Sequence, residues 1–261
     1  GRITSIDTLD EAAGAKLVVE AIVEKLDIKR SLFRQLETLV AADCVLATNT
    51  SSISVTAIAN GLRHPERLVG MHFFNPVPLM KLVEVVSGLQ TSAAVAQAIF
   101  DVSKAWGKVP VHARSTPGFI VNRIARPYYA ETLALLQEQA ATPALLDACL
   151  RAAGFRMGPC ELMDLIGHDT NFSVTQSVYE ANFFDKRFVP SLVQRELVDG
   201  GLLGRKSGQG FFSYAEGAAK PAVPAYMPAV LPACRTLVVM GSGALADRLA
   251  HSLHQAGHAY T

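Results

Sequence analysis

His72 and Glu84 stand twelve residues apart, each inside an apolar run. His72 lies in RLVGMHFF, a turn carrying Asn75, Pro76 and Pro78 follows, and Glu84 lies in KLVEVV. Burial penalises an ionised carboxylate, while a neighbouring imidazole that can take a proton stabilises it, and the carboxylate in turn fixes the ring's tautomer. A histidine held this way suits a general base. The competing reading is structural: a satisfied core histidine, with the glutamate capping a sheet edge.

The surrounding elements must bring the two side chains together. Over residues 1–113 the runs ITSI, KLVVEAI, CVLATN and RLVGMHFF read as strands. DEAAG, EKLDIKRSLFRQLETLVAA, ISVTAIANG and TSAAVAQAIFDVSKAW carry helical spacing or follow Ser, Thr or Asp caps. Apolar strands separated by helices predict a parallel sheet covered on both faces, an α/β fold with its ligand outside the carboxyl ends of the strands. Just past those ends stand Ile22-Val23-Glu24, Thr48 to Ser52 and His72 to Asn75, polar groups converging on one rim. Read otherwise, Asn49 to Ser52 form only a turn and a helix cap.

STPGFIVNRIARPYYAETLALLQEQA opens on a Thr-Pro-Gly turn and continues as a helix, with Asn122 early on an apolar face. An amide there either bonds a nearby backbone carbonyl or donates to a carbonyl oxygen in a cleft. Residues 142 to about 200 read as all-helical: PALLDACLRAAGF, GPCELMDLIGHDTNFSVTQSVYEANF and SLVQRELVDGG. LGRKSGQGFFSY then turns into an aromatic, strand-like end, with Lys206 either free to reach an anion or merely solvated.

Half of the 261 residues are apolar, enough for a sizeable core without staples. The formal net charge is +1 and the basic residues are dispersed, which argues against a nucleic-acid groove or an anionic membrane surface and for a small-molecule site. No run approaches the roughly 18 apolar residues of a membrane span, and no signal pattern opens the sequence, so a cytoplasmic location is expected. Cys44, Cys149, Cys160 and Cys234 lack metal-site or disulfide spacing and read as small core hydrophobes, with no metal expected.

ATNTSSISVTAIA, MHFFNPVPLMKLVEVV, STPGFIVNR, MGPCELMDLIGHDT and GRKSGQGFFSY, in this order, resemble the L-3-hydroxyacyl-CoA dehydrogenases, including the 3-hydroxybutyryl-CoA dehydrogenases, over about residues 1–214. The resemblance implies NAD as cofactor, a 3-hydroxyacyl-CoA substrate, a role in fatty-acid breakdown, and a Rossmann-like domain followed by a helical domain through which a homodimer forms. It implies His72 as catalytic base oriented by Glu84, with Ser51 and Asn122 at the substrate's 3-oxygen. Glu24, Lys29, Asn49, Ser51, Asn75 and Lys206 match positions near the cofactor.

Four segments follow: a Rossmann-like domain over 1–114 lacking its first βα units, a helical dehydrogenase domain over 115–214, a Pro/Ala-rich linker over 215–234, and a β-α unit over 235–261. The glycine-rich turn and ribose acid that open a dinucleotide fold do not precede Gly1, so the chain is expected to be a fragment of a longer protein. The last segment carries such a glycine pattern at Gly241, Gly243 and Ala246. It reads as the start of a second Rossmann-like unit, as a replacement for the missing first strand, or as a repeat that binds nothing. Two other functions stay open: a non-catalytic dimerisation or binding module, and an NAD enzyme for another 3-hydroxy acid.

Overall fold

Five short strands pair into one mixed sheet in the computed structural model, whose described residues are 3–219, 223 and 237–260. They are β1 (Leu17–Glu20), β2 (Val45–Thr48), β3 (Leu68–Phe73), β4 (Leu82–Ser87) and β5 (Val109–Arg114), side by side in chain order. β1–β2 and β2–β3 are parallel, as expected, and β4–β5 is parallel too, but β3–β4 is antiparallel. The turn from Phe74 to Lys81 is too short for the crossover of about a dozen residues that parallel pairing requires.

Two further expectations change. ITSI is no strand; Ile3 and Ile6 are exposed and pair with nothing among the described residues. β5 was not anticipated, because Pro110 and His112 interrupt its apolar pattern. As the edge strand pairing only with β4, it tolerates a proline.

Helices cover both faces. α1 (Leu26–Leu39) and α2 (Val55–Ala59) pack Phe33, Leu36, Val55 and Ile58 onto Leu46, Leu68 and Val86. α3 (Ala93–Ala105) sets Ala96 and Ile99 against Ala47, Val69, Met71, Val83 and Val85. Strand alternation divides these two cores, so His72 and Glu84 fall on the same face as Leu68 and Val86. Gly70 lies between them, where a Cβ would come within 2.7 Å of the Val86 Cβ.

The helical part comprises α4 (Val121–Gln137), α5 (Pro143–Ala152), α6 (Pro159–Ile166), α7 (His168–Ala181) and α8 (Leu192–Asp199). α6 and α7 are separate because Gly167 turns the chain at φ +96°. The GQGFFSY stretch is no strand; it is wrapped around the buried Asp164 carboxylate. Oδ1 accepts from His168 Nε2 at 2.7 Å and Phe211 N at 2.9 Å, and Oδ2 from Phe212 N at 3.0 Å and the Tyr214 hydroxyl at 2.9 Å. A Cβ on Gly204 or Gly210 would overlap Asp164, which is why glycines stand there.

Burial raises the Asp164 carboxyl, but His168, the Phe212 and Phe211 amides and Tyr214 outweigh it and hold the group below its ordinary value. A depressed carboxyl contributes stability above its unfolded pKa, about 3.9, and loses it as pH falls through the folded value. Asp164→Asn is therefore expected to lower unfolding free energy at pH 7 by about 2–4 kcal/mol, since an amide leaves donors facing donors. The gap to wild type should narrow below about pH 4 in denaturant titrations. A gap independent of pH would show that the charge of Asp164 contributes nothing.

The chain divides into two units, Gly1–Ala222 and Val223–Thr261. In the second, α9 (Ala244–Gln255) follows Gly241 and Gly243 at φ +119° and +117°. The strand expected before it is reduced to a single bridge, Leu237 with Tyr260, as no adjacent strand is there among the described residues. Most of the 215–234 linker, Cys234 included, lies outside the described residues. No helix among the described residues is long and apolar enough to cross a membrane.

Candidate active site

β3 and β4 set His72 and Glu84 directly opposite each other. His72 Nδ1 lies 2.6 Å from Glu84 Oε2. A carboxylate can only accept, so Nδ1 carries the proton and Nε2 keeps its lone pair. Nε2 has no hydrogen-bond partner among the described residues. Phe74 and Phe119 flank the ring, with centroids 4.5 and 5.6 Å away, and only 5% of His72 is exposed.

Glu84 does a second job. Its Oε1 accepts from the backbone N–H groups of Ile120 at 3.0 Å and Val121 at 2.9 Å, at the start of α4. The free amides of a helix N-terminus favour such an anion. The STPGF turn delivers them: Gly118 adopts φ +75°, where a Cβ would meet Arg123 N at 2.9 Å, and Phe119 adopts φ +47°. A non-glycine residue there carries backbone strain, which burial of the Phe119 ring against His72 offsets.

The carboxyl ends of β1 and β2 form a rim organised by Glu24. Its Oε1 accepts from the Thr50 hydroxyl at 2.6 Å, Ser51 N at 2.8 Å and Ser52 N at 3.1 Å. Burial raises the Glu24 carboxyl, yet Thr50, Ser51 and Lys29 outweigh it and leave it below its ordinary value. Asn49 Oδ1 accepts from Phe73 N at 2.9 Å, tying the rim to β3. Asn122 Nδ2 donates to the Ser51 carbonyl at 3.4 Å, which brings Ser51 and Asn122 together. Asn75 is exposed in the turn after β3.

Two lysines are engaged in ion pairs, Lys29 buried and Lys206 at the surface. Lys29, 1% exposed, pairs with Glu20 at 2.6 Å and Glu24 at 3.2 Å, so its ammonium is turned to carboxylates rather than to the open rim. Glu20 also accepts from the Thr48 hydroxyl at 2.7 Å and Ile22 N at 2.6 Å. Lys206 pairs with Asp169 at 2.5 Å, beside Gly167. Sequence reasoning missed Glu20 and Phe119. A charged residue closing the apolar run KLVVE was the available signal for Glu20; Phe119 had none.

The rim suits one half of a nicotinamide dinucleotide. Exposed Ile22 and Val23 adjoin the Glu24 carboxylate, an apolar surface beside an acceptor for sugar hydroxyls, at the sheet end where α/β folds bind ligands.

Residues 1–116 match the NAD binding domain of 3-hydroxyacyl-CoA dehydrogenase, and residues 118–214 match its C-terminal domain. The chain is 54% identical over 214 residues to 3-hydroxyadipyl-CoA dehydrogenase of Escherichia coli, covering 82% of this chain but 45% of that protein. It is 42% identical to a probable 3-hydroxybutyryl-CoA dehydrogenase of Deinococcus radiodurans, covering 82% and 77% of the two. The crystal structure of 3-hydroxybutyryl-CoA dehydrogenase from E. coli K12 superposes with a TM-score of 0.81 at 54% identity, covering 84% of this chain and 46% of that one. The chain thus spans about half the length of its E. coli relative. With both domains matched in order and NAD the cofactor of the first, the chain belongs to the 3-hydroxyacyl-CoA dehydrogenase family.

Proposed function

We propose that the protein oxidises L-3-hydroxyacyl-CoA thioesters to 3-oxoacyl-CoA with NAD, using His72 as general base and Glu84 to orient it. The observation that carries this reading is the 2.6 Å contact between His72 Nδ1 and Glu84, which leaves Nε2 as an available base. His72 Nε2 removes the proton of the 3-hydroxyl, and Glu84 stabilises the imidazolium so formed. NAD held at the rim by Glu24 and Asn49 would supply the hydride acceptor for C3. In reverse His72 returns the proton, while the Ser51 hydroxyl and the Asn122 amide stabilise charge on the 3-oxygen.

On this reading residues 1–114 form the cofactor domain and 115–214 the helical domain. Glu24, Asn49 and Asn75 face the cofactor, Lys29 fixes Glu24 in place, and Lys206 reaches the cofactor by leaving Asp169. The helical domain pairs two copies, a role supported by exposed apolar side chains at Ile124, Phe183, Phe184 and Leu192. Free thiols at Cys44, Cys149 and Cys160 suit the cytoplasm, where thiols stay reduced.

Calorimetric titration of the chain with NADH and with acetoacetyl-CoA, coupled to a NADH-oxidation assay and sedimentation of the same sample, tests the proposal. Binding of both ligands, turnover and a dimer are expected. A dimer that binds neither ligand would instead assign the chain to a non-catalytic assembly role, and a monomer would count against the pairing.

A further inference from the structure

Glu20 ends β1 with a fully buried side chain that reaches nothing at the open rim. Its Oε1 accepts from Lys29 Nζ and from Ile22 N, both at 2.6 Å, and its Oε2 accepts from the Thr48 hydroxyl at 2.7 Å. An acceptor at both oxygens, with an ammonium among its donors, is a carboxylate. Lys29 also reaches Glu24 Oε2 at 3.2 Å, and the Glu24 side chain is 36% exposed, toward the rim. No further ion pair joins these groups among the described residues. Two carboxylates therefore share one ammonium, which leaves one negative charge uncompensated.

Lys29 and Glu24 alone would form a neutral pair, and burying a second carboxylate beside them is costly. What Glu20 adds is charge and direction. It draws the ammonium inward, so Glu24 meets the rim as an anion rather than as half of a neutral pair. Strand register sets Glu20 beside Thr48 and Thr48 beside Gly70. Neighbouring strands lie about 4.8 Å apart, which puts the trio on the order of 10 Å from the strand that carries His72. A cofactor that takes hydride from a carbon whose oxygen sits at His72 must place its nicotinamide within that interval. The oxidised ring is a cation and the reduced ring is neutral, so only the oxidised form gains from a nearby negative charge.

We infer that Glu20, acting through Lys29, biases the site toward the oxidised cofactor, because the uncompensated charge of Glu20, Lys29 and Glu24 stabilises the cationic nicotinamide and leaves the reduced ring unaffected. This rests on the reading above, in which NAD lies at the Glu24 rim. Glu20 touches neither cofactor nor substrate, so it is a positioning residue. Glu20→Gln removes one charge and little else. The amide oxygen accepts from Lys29 and Ile22, and the amide N–H₂ donates to the Thr48 hydroxyl, which already accepts from Thr50 N at 3.3 Å. The Lys29–Glu24 pair that is left is neutral.

The test is calorimetric titration of the full chain with NAD⁺, NADH and ADP-ribose, in the wild type and in Glu20→Gln. The Kd of NAD⁺ relative to that of NADH is expected to rise about 3- to 10-fold in the variant, the effect of one charge at on the order of 10 Å in a partly screened site. ADP-ribose, which has no nicotinamide, should keep its affinity. A merely structural Glu20 would weaken all three ligands together and leave the ratio where it was, and that result overturns the inference. The ionisation of Glu20 is read on the wild type alone, from its carboxyl ¹³C chemical shift at about pH 7, which is expected to be that of a carboxylate. A protonated Glu20 would make the trio neutral and overturn the inference without any variant, so poor folding of Glu20→Gln leaves the test decisive. Failure of the wild type to bind any of the three ligands would defeat the placement of the cofactor at the rim, a result distinct from binding with an unchanged ratio.

Discussion

Replacing His72 with glutamine is expected to lower turnover of a 3-hydroxyacyl-CoA by about 10²- to 10⁴-fold, the usual contribution of a general base. Affinity for NADH and for the acyl-CoA should stay nearly unchanged. Glutamine is close in reach, and its amide N–H₂ can replace Nδ1–H as donor to Glu84, so the carboxylate still accepts and the start of α4 stays anchored through Ile120 and Val121. What is lost is the lone pair of Nε2. The competing view, a core histidine satisfied by Glu84, makes a different forecast: ligand affinity, thermal stability and turnover would fall together. Binding by calorimetry, Tm and single-turnover rate on one preparation separate the two, and parallel losses in all three would remove His72 from the chemistry.

The pairing behind this forecast was legible in the sequence because it is local. Two apolar runs joined by a Pro-punctuated turn too short for a crossover can only form neighbouring antiparallel strands, which puts His72 opposite Glu84. Reading every strand as parallel overlooked that same turn. β5 escaped because Pro110 breaks its pattern, and ITSI misled because alternation alone does not supply a strand to pair with. The rim was visible as polar residues after apolar runs, but its order was not. Glu24 gathers Thr50, Ser51 and Ser52 through two backbone amides and a hydroxyl, and backbone donors have no sequence signature. Burial of Lys29 against Glu20 was hidden for a similar reason, since a lysine on an amphipathic helix reads as solvated until the strand beneath it is known to end in a carboxylate.

α4 is where these separate readings join. Its first two amides bind Glu84, its Asn122 reaches Ser51, and its next turn carries the buried Arg126 guanidinium. One rigid helix thereby relates the histidine's orienting carboxylate, the rim above β2 and a buried cation. Sites carried on helices and strands hold geometry better than sites on loops. The strained Gly118–Phe119 turn fixes where this helix begins, so a small shift there would be felt at all three points.

Glu84→Gln sharpens the argument because it changes almost nothing but charge and hydrogen-bond direction. Two backbone N–H groups already converge on one oxygen of residue 84, and only the glutamine carbonyl can satisfy them. The amide N–H₂ must then face His72 Nδ1, which has to accept instead of donate. That moves the ring proton to Nε2 and removes the lone pair that would take the substrate's proton in the proposed reaction. Turnover is expected to fall by about 10²- to 10⁴-fold, comparable to loss of the base, although His72 is still present. Stability should fall less than in Glu84→Ala, which strands two amides and an imidazole N–H at about 1–3 kcal/mol each. ¹⁵N chemical shifts of His72 report the tautomer directly. A variant that keeps its proton on Nδ1, or one that keeps full turnover with the proton on Nε2, would show that Glu84 does not set the state of the base.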